Sequence, residues 1–335
     1  MSLPEISVLM PTYNYASYLP EAIASVLAQD FQDFELLIVD DASADNTAGA
    51  VKTFCGRDAR IKFAVNPANL GMVNNWNHCL KEARGKYIKF LFGDDKLSDP
   101  QALTKLITLL RNNPSATLAA SARAILDEKS NVIDIWRSLP DGRHDGRKVI
   151  SECLIENGNM VGEPSSVLFR KTDALRGFDP AYRQFVDLEM WFHLLERGDL
   201  VSTREPLCAF RRHAGQQTVV NNATYSIKEP LMLVAAYGAK PWIPARQRLD
   251  ILYRARRGLR RDPGARPQFL ELERQYAGGF GKPAYFRAWL KYIFVRPLEN
   301  LKRSRQKRSF RRTICGLDNL PGNREASARP GDPIH

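Results

Sequence analysis

The chain has 335 residues, of which 44% are hydrophobic and 26% charged, a composition typical of a folded globular protein rather than a disordered or fibrous one. At about 150 residues per domain, the length predicts two domains or one large domain with an appendage. The five cysteines are odd in number and lack any C-x-x-C spacing, which argues against a disulfide framework or a structural zinc site and favours a reducing compartment. We expect no signal peptide, and no spanning helix because no uncharged stretch approaches about 20 apolar residues.

The net charge of +12 belongs to the last third of the chain. Residues 1–220 hold 25 Lys and Arg against 28 Asp and Glu, whereas residues 221–335 hold 24 against 9. This asymmetry predicts a first domain over 1–220 and a basic helical region over 221–320, followed by a disordered tail over 321–335.

Apolar runs and amphipathic stretches alternate along the first hundred residues. The apolar runs predict four buried strands, over 6–10, which Pro11 ends, and over 34–39, 61–65 and 87–92. Apolar residues at helical spacing predict helices after the first, third and fourth of these strands, and a short helix follows the second. The predicted helix boundaries are Gly85 as the C-cap of a helix over 73–84, and Asp99 as an N-cap with Pro100 at the first helical position.

This alternation predicts an α/β fold with a mostly parallel sheet flanked by helices on both faces. Polar clusters follow three of the strands, at Pro11–Asn14, Asp40–Asp41 and Asp94–Asp95. Because parallel sheets bind ligands beyond the carboxyl ends of their strands, we expect these clusters to meet at one ligand site.

The motifs that are missing narrow the ligand. Neither G-x-G-x-x-G nor G-x-x-x-x-G-K-[ST] occurs, so neither a dinucleotide fold nor a P-loop is supported. Carboxylates would repel phosphates unless a divalent cation lay between them, and carboxylates with diphosphate oxygens are ligands that Mg²⁺ or Mn²⁺ prefers.

Four segments resemble glycosyltransferase family 2, in consistent order over about residues 5–215. They are Ile6–Asn14, Ile38–Ser43, Asn69–Gly71 and the stretch from Gly85 to Asp95. The resemblance implies a GT-A fold, a nucleotide-diphosphate sugar as donor and inversion of the anomeric centre. The last third of the chain matches no motif.

The resemblance implies that the loop after the first strand lies along the nucleobase and the ribose. Asp41 would accept a hydrogen bond from a ring N–H of the base, which uracil, thymine and guanine offer. Alternatively, Asp40 and Asp41 are turn residues that cap the next helix. The loop residues implied in donor binding are Pro11, Thr12, Tyr13 and Asn14.

Asp94 and Asp95 occupy the position of the family's metal motif. The resemblance implies that Asp94 lies near the ribose or the cation and that Asp95 ligates Mn²⁺ or Mg²⁺. The cation would bridge the diphosphate and offset charge on the leaving nucleotide. Phe92 replaces the first carboxylate of the commoner Asp-x-Asp-Asp form, so the ligand count stays open. The alternative is a loop-and-cap pair before the Pro100 helix.

The segment from Phe185 to Trp191 resembles the family's Glu-Asp-x-x-x-Trp stretch at the start of a helix. Asp187 aligns with the catalytic base, which takes the proton of the acceptor hydroxyl. Val186 replaces the usual preceding Glu. A helix N-terminus favours an ionised carboxylate, so Asp187 as a simple cap is the alternative, and Glu189 is a weaker candidate for the base.

Two further segments fit the family. Val161–Phe169 resembles the stretch that contacts the acceptor, and Phe210–His213 resembles the aromatic-Arg-x-His stretch. The resemblance places His213 at the metal or diphosphate and Arg211 nearby as support for negative charge. The Gln-x-x-Arg-Trp motif of processive synthases is absent, so we expect one transfer per encounter.

The basic third contains an aromatic helical pattern around Phe286–Ile293, followed by seven basic residues and no acid within 302–312. Residues 285–312 are therefore expected to contact an anionic membrane surface, at roughly 1 kcal/mol per basic residue. The alternative is that the apolar stripe packs on the first domain and the charges face solvent. Nucleic acid is not expected as a partner, because no recognisable nucleic-acid module accompanies the charge.

These observations favour an inverting, metal-dependent glycosyltransferase that moves one sugar to a hydroxyl of a saccharide or lipid-linked saccharide. The expected setting is bacterial-type cell-surface polysaccharide or glycolipid synthesis, in the cytoplasm and at the inner face of the membrane. The alternatives are a nucleotidyltransferase on a similar sheet and a non-catalytic protein that binds membrane or nucleic acid.

Overall fold

The computed structural model describes residues 3–218, 228–258 and 266–277, and the single positions Asn221, Tyr225, Gly264, Phe286 and Leu290. Strands and helices alternate through these ranges. The strands are β1 (Ile6–Thr12), β2 (Phe34–Asp40), β3 (Ile61–Val65), β4 (Tyr87–Phe90), β5 (Lys96–Leu97), β6 (Ala116–Leu126), β7 (Val132–Trp136), β8 (Gly142–His144), β9 (Val167–Arg170) and β10 (Asp199–Arg211). The helices are α1 (Leu19–Leu27), α2 (Thr47–Cys55), α3 (Met72–Glu82), α4 (Ala102–Asn112), α5 (Gly146–Glu156), α6 (Val186–Leu195), α7 (Lys228–Tyr237), α8 (Ala245–Gly258) and α9 (Arg266–Ala277).

The strands form one sheet in the order β3-β2-β1-β4-β9-β6-β10-β5, with β7 beside β6 and β8 beside β10. The pairs β2–β3, β1–β2, β1–β4 and β6–β10 are parallel, and β9 runs antiparallel between β4 and β6. The predicted α/β fold with a mostly parallel sheet is therefore confirmed. Because β1, β2 and β4 are parallel, the polar residues that follow them lie at one edge of the sheet.

Both faces of the sheet are buried, as alternation along β1 shows. Leu9 packs in one apolar core with α3, α5 and α6, whereas Val8 and Met10 pack in a second core with α1 and α4. Such burial on both faces is typical of parallel strands whose crossovers place helices on either side.

Helices α7, α8 and α9 belong to the same compact unit as the sheet, which extends to residue 278. They contribute Leu233, Ile251 and Phe269 to the core that contains α3, α5 and α6. The described helices are each too short or too polar to cross a bilayer. The basic cluster 302–312, the tail from 321 and most of the proposed anchor lie outside the described residues, and the boundary near residue 220 stays a prediction.

Pro11 does not end β1 as predicted. The strand continues through Pro11 to Thr12, because β4 pairs with β1 only as far as Leu9 and no neighbour on that side needs the missing N–H of Pro11.

Two helix boundaries also differ from the prediction. The helix after the fourth strand begins at Ala102 rather than Pro100, because Asp99 closes a turn by accepting from the Gln101 N–H at 2.7 Å.

Gly85 is not the C-cap of α3, which ends at Glu82. A Cβ at Gly85 would lie 2.4 Å from the backbone nitrogen of Ser7, so glycine allows a close approach to β1. The Gly85 N–H donates to the Ser7 hydroxyl at 2.7 Å, which ties the start of β4 to β1.

Candidate active site

The loops after β1 and β2 are held together at the sheet edge by Asn14. Its N–H donates to the Ser43 hydroxyl at 2.8 Å, and its side-chain oxygen accepts from the Ala44 N–H at 2.9 Å. Asn14 has a φ of 58°, a left-handed conformation that asparagine tolerates better than most residues. The neighbouring Tyr13 side chain is 46% exposed, so its ring is free to contact a ligand.

Asp41 is almost fully buried behind this edge and accepts three hydrogen bonds. They come from the Asn66 amide and the Leu70 N–H, both at 2.8 Å, and from the Gly71 N–H at 2.9 Å. A carboxylate has about four lone-pair positions, so one remains for a donor such as a ring N–H. The three contacts also fix the loop that contains Asn69–Gly71, which the sequence singled out.

Asp94 and Asp95 follow β4 in a tight turn, and both are buried. Asp94 contacts His213, with 3.1 Å between the carboxylate and the imidazole Nε2. Asp95 instead accepts from the Arg211 N–H at 3.0 Å and from the Ser165 hydroxyl at 2.5 Å, so both of its oxygens already have protein donors. Burial and the neighbouring charge of Asp94 raise the pKa of Asp95 well above its usual range.

Two tyrosines enclose His213. The rings of Tyr15 and Tyr18 lie 6.0 and 5.1 Å from the imidazole. Burial and the charge of Asp94 raise the pKa of Tyr15, so its hydroxyl stays protonated. An open cleft of about 550 Å³ adjoins this cluster and is lined by His213, Arg212 and the turn between β6 and β7.

Arg211 lies behind the carboxylates rather than in the cleft. Its side chain is fully buried and donates to the Asp94 carbonyl at 2.7 Å, the Ser130 hydroxyl at 2.8 Å and the Glu21 carboxylate at 2.6 Å. Since its guanidinium contacts protein acceptors, Arg211 positions the Asp94 turn here. Its implied role beside a diphosphate stays a prediction.

Asp187 lies in the first turn of α6, as predicted. One oxygen accepts from the Asn159 amide at 2.9 Å, and the other accepts from the Leu188 N–H at 2.8 Å. Burial, followed by the negative charge of Glu163, raises the pKa of Asp187 to about 7. Burial therefore outweighs the helix N-terminus, which would favour the ionised form. The Glu189 carboxylate instead accepts hydrogen bonds from Arg176 at 2.6 Å and from the Tyr237 hydroxyl at 3.0 Å.

One segment, residues 159–166, joins the two carboxylate centres, and we call it the connecting loop. Asn159 bonds Asp187 at one end, and Ser165 bonds Asp95 at the other. Gly162 has a φ of +123°, and a Cβ there would overlap the Ser166 hydroxyl, so glycine is required. The connecting loop therefore sets the position of Asp187 relative to Asp95.

Lys89 supports the connecting loop and was not predicted as a site residue from the sequence. Lys89 is fully buried in β4, and its ammonium donates to the Ser165 carbonyl. Burial lowers its pKa to about 8. A lysine inside an otherwise apolar strand was the available signal, whereas Asn159 carried none.

In the part of the chain that the structure describes, no three His, Cys, Asp or Glu side chains converge as a ready metal site. Asp94 and His213 form a pair of possible ligands, and Asp95 lies behind them. Thr12, implied in donor binding, is buried with a hydroxyl that has no protein partner.

The family model for glycosyl transferase family 2 matches residues 7–168. EpsE of Bacillus subtilis, whose assignment as a glycosyltransferase is provisional, is 30% identical over 258 residues, which cover 72% of this chain and 89% of EpsE.

Solved structures share the fold at 16% identity. S. aureus TarS in complex with UDP-GlcNAc matches with a TM-score of 0.62, and the match covers 84% of this chain and 82% of the TarS chain. The mannosyltransferase PcManGT from Pyrobaculum calidifontis, in complex with GDP-Man and Mn²⁺, has a TM-score of 0.56 and covers 88% and 82%.

Proposed function

The chain belongs to glycosyltransferase family 2 and is a glycosyltransferase, and on that premise we propose that it transfers a single sugar from a nucleoside diphosphate sugar to a hydroxyl acceptor with inversion. The donor class is supported by the UDP-GlcNAc of TarS and the GDP-Man of PcManGT. Asp41 keeps one lone pair for the ring N–H of a uracil, thymine or guanine base.

The observation that carries the proposal is the connecting loop. It ties a carboxylate suited to proton transfer, Asp187, to the Asp94–Asp95 turn at the end of β4. A base and a charged donor-binding cluster held at a fixed separation are what a single in-line displacement needs.

In the proposed reaction, Asp187 accepts the proton of the acceptor hydroxyl as that oxygen attacks the anomeric carbon. The new C–O bond forms as the bond to the β-phosphate oxygen breaks, and the nucleoside diphosphate leaves with the electron pair. One displacement inverts the anomeric centre. A base whose pKa is about 7 is partly ionised at neutral pH and is a stronger proton acceptor than an ordinary aspartate.

Asp94 and His213 fit a divalent cation such as Mn²⁺, because a carboxylate oxygen and an imidazole nitrogen are compatible donors and lie 3.1 Å apart. Asp95, whose oxygens both have protein donors, lies behind them. When bound, the cation would offset charge on the leaving diphosphate, and diphosphate oxygens or water would complete its shell.

The test begins with the full-length protein, Mn²⁺ and a panel of UDP-, GDP- and dTDP-sugars in a thermal-shift screen, since a bound donor stabilises the folded state. The stabilising donor is then followed for product. We expect slow release of nucleoside diphosphate in the presence of Mn²⁺ and its loss when EDTA is added. Release of pyrophosphate from a nucleoside triphosphate and a sugar 1-phosphate, supplied in a parallel assay, would instead indicate a nucleotidyltransferase. Stabilisation without turnover would indicate a binding protein.

We further propose that the acceptor is a saccharide or lipid-linked saccharide in cell-surface polysaccharide or glycolipid synthesis. The proposed location is the cytoplasm, with contact at the inner face of the membrane. A membrane contact would fall to residues 285–312, of which only Phe286 and Leu290 are described. Binding of the full chain to anionic vesicles but not to neutral ones would support this placement.

A further inference from the structure

An aromatic pair on β7 and β10, of which one ring is exposed and the other half-buried, has no part in the reaction described above. Trp136 on β7 and Phe210 on β10 lie with ring centroids 6.3 Å apart and planes 27° from parallel. Trp136 is 37% exposed, although an indole of this size is usually covered. We call the two rings the aromatic shelf.

The shelf is held rigid by its neighbours. The Trp136 indole N–H donates to the Asp134 carboxylate at 3.2 Å, and the Arg123 guanidinium lies 5.4 Å from the ring centroid. Arg123 is directly opposite Trp136 in the β6–β7 register. The ring is therefore positioned before any ligand arrives, which reduces the entropy lost on binding.

The shelf also adjoins the proposed reaction centre. The buried Arg123 forms an ion pair with Glu163 of the connecting loop, whose side chain is 24% exposed. Glu163 and Arg123 shift the pKa of Asp187 in opposite directions, so both charges lie within electrostatic range of the proposed base. On the other side, Phe210 directly precedes Arg211, whose N–H bonds Asp95.

We propose that the aromatic shelf is the binding site for a sugar ring of the acceptor, with Glu163 accepting from its hydroxyl groups. This inference rests on the proposed function and assigns the residues that hold its saccharide acceptor. A pyranose has an apolar C–H face that packs on an aromatic ring, while hydroxyl groups at its rim need polar partners. The shelf offers the ring surface, and Glu163 beside it, which Arg123 holds in place, offers an acceptor.

The occupant could otherwise be a second copy of the chain, because β7 also exposes Val132 and Ile133. The position of the shelf favours the saccharide. It is joined through Arg123 and Glu163 to the loop that holds Asp187, which an interface between copies would not require.

The experiment compares Trp136→Ala and Trp136→Phe with the wild type in three measurements on the full chain with Mn²⁺ and the donor. They are nucleoside diphosphate release without acceptor, its stimulation by methyl glycosides of glucose, galactose, mannose, rhamnose and N-acetylglucosamine, and saturation-transfer NMR of the same glycosides. Leu175→Ala is the matched control, because Leu175 is an exposed apolar residue outside the site.

We expect Trp136→Ala to keep the acceptor-independent release while the half-saturating concentration of the effective glycoside rises about tenfold. Trp136→Phe should retain most of the binding, and Leu175→Ala should behave as the wild type. Saturation transfer to the glycoside should fall in Trp136→Ala alone.

Several results would overturn the shelf as an acceptor site. They are an unchanged glycoside response in Trp136→Ala, a parallel loss of acceptor-independent release, and a change of oligomeric state with unchanged acceptor use. Failure of the proposed function is seen separately: the wild type would then release no nucleoside diphosphate from any of the donors tested. Saturation transfer still decides the shelf in that case, and its absence from every glycoside would refute it.

Discussion

On the proposed donor side of the site, formed by the residues that follow β1, β2 and β4, Asp41 accepts hydrogen bonds from Asn66 and two backbone amides. On the proposed acceptor side, formed by the connecting loop and the start of α6, Asp187 has two donors and lies within electrostatic range of Glu163. Burial and the like charge of Glu163 raise the pKa of Asp187 to about 7. Asp41, held by three donors, is thus suited to binding, and Asp187 is suited to moving a proton.

The two sides also differ in how the chain builds them. The donor side comes from consecutive strand–loop–helix units within the first hundred residues. The acceptor side joins Asn159 to Asp187 and Ser165 to Asp95 across 28 and 70 positions of sequence. Asp41 is likewise fixed by residues 25 to 30 positions further along the chain, so the two sides differ in the elements that supply the donors and not in the sequence separation of their contacts.

The sharpest test of this contrast is Asp187→Asn. Because the amide cannot accept the acceptor proton, transfer should fall by about 10³-fold. Donor binding should not change, since Asp187 lies on the other side. Transfer is measured as acceptor-dependent release of nucleoside diphosphate, and donor binding by calorimetry. Retention of near wild-type transfer would show that Asp187 is not the base. Glu189→Gln, on the same helix, serves as the matched control.

The sequence predicted the strands of the proposed donor side because their signals are local. Apolar runs located β1, β2 and β3, and the polar clusters lie at the ends of β1, β2 and β4, where parallel pairing brings them to one edge. The acceptor side was reached only through the family motifs, which found Asp187 but not Asn159. No periodicity links residues so far apart, and Asn159 acts through a loop whose path depends on the packing of α5, β9 and Lys89.

Removal of His213 should have the next largest effect. It should weaken the affinity for the cation rather than the affinity for the sugar donor. His213→Ala leaves Asp94 as a single ligand, so the Mn²⁺ concentration that half-activates the enzyme should rise by about 10²-fold. Activity should recover when Mn²⁺ is raised. His78→Ala is a suitable control, because His78 bonds Asn66 on the same side of the sheet. An unchanged Mn²⁺ requirement would exclude His213 as a ligand.

Asp41→Asn should weaken the donor by a smaller factor. Asparagine has one acceptor oxygen in place of two, so it cannot satisfy Leu70 and Gly71 and also meet a ring N–H. We expect a loss of about tenfold in nucleoside diphosphate affinity, with a lower melting temperature because a buried N–H loses its partner. Calorimetry with the nucleoside diphosphate alone separates this from catalysis. A variant that is less stable but binds normally would leave Asp41 with a structural role only.

The smallest effect concerns the pH dependence of the acceptor side. Asp187 must be ionised to accept a proton, so activity should rise with pH through the pKa of about 7. Glu163 raises that pKa, and its neutralisation in Glu163→Gln also frees the Arg123 charge, which lowers it. Both changes have the same sign, so the acidic limb of the kcat/KM profile should move to lower pH.

The shift is measured against Glu152→Gln, which removes an equal charge from α5. Lys89→Met should act differently from Glu163→Gln, because it removes support for the Ser165 carbonyl and should reduce the rate without the same pH shift. If the acidic limb of Glu163→Gln stays in place while the rate falls, Glu163 acts on geometry and not on the proton. The contrast between a fixed donor-side charge and a tuned acceptor-side charge would then rest on burial of Asp187 alone.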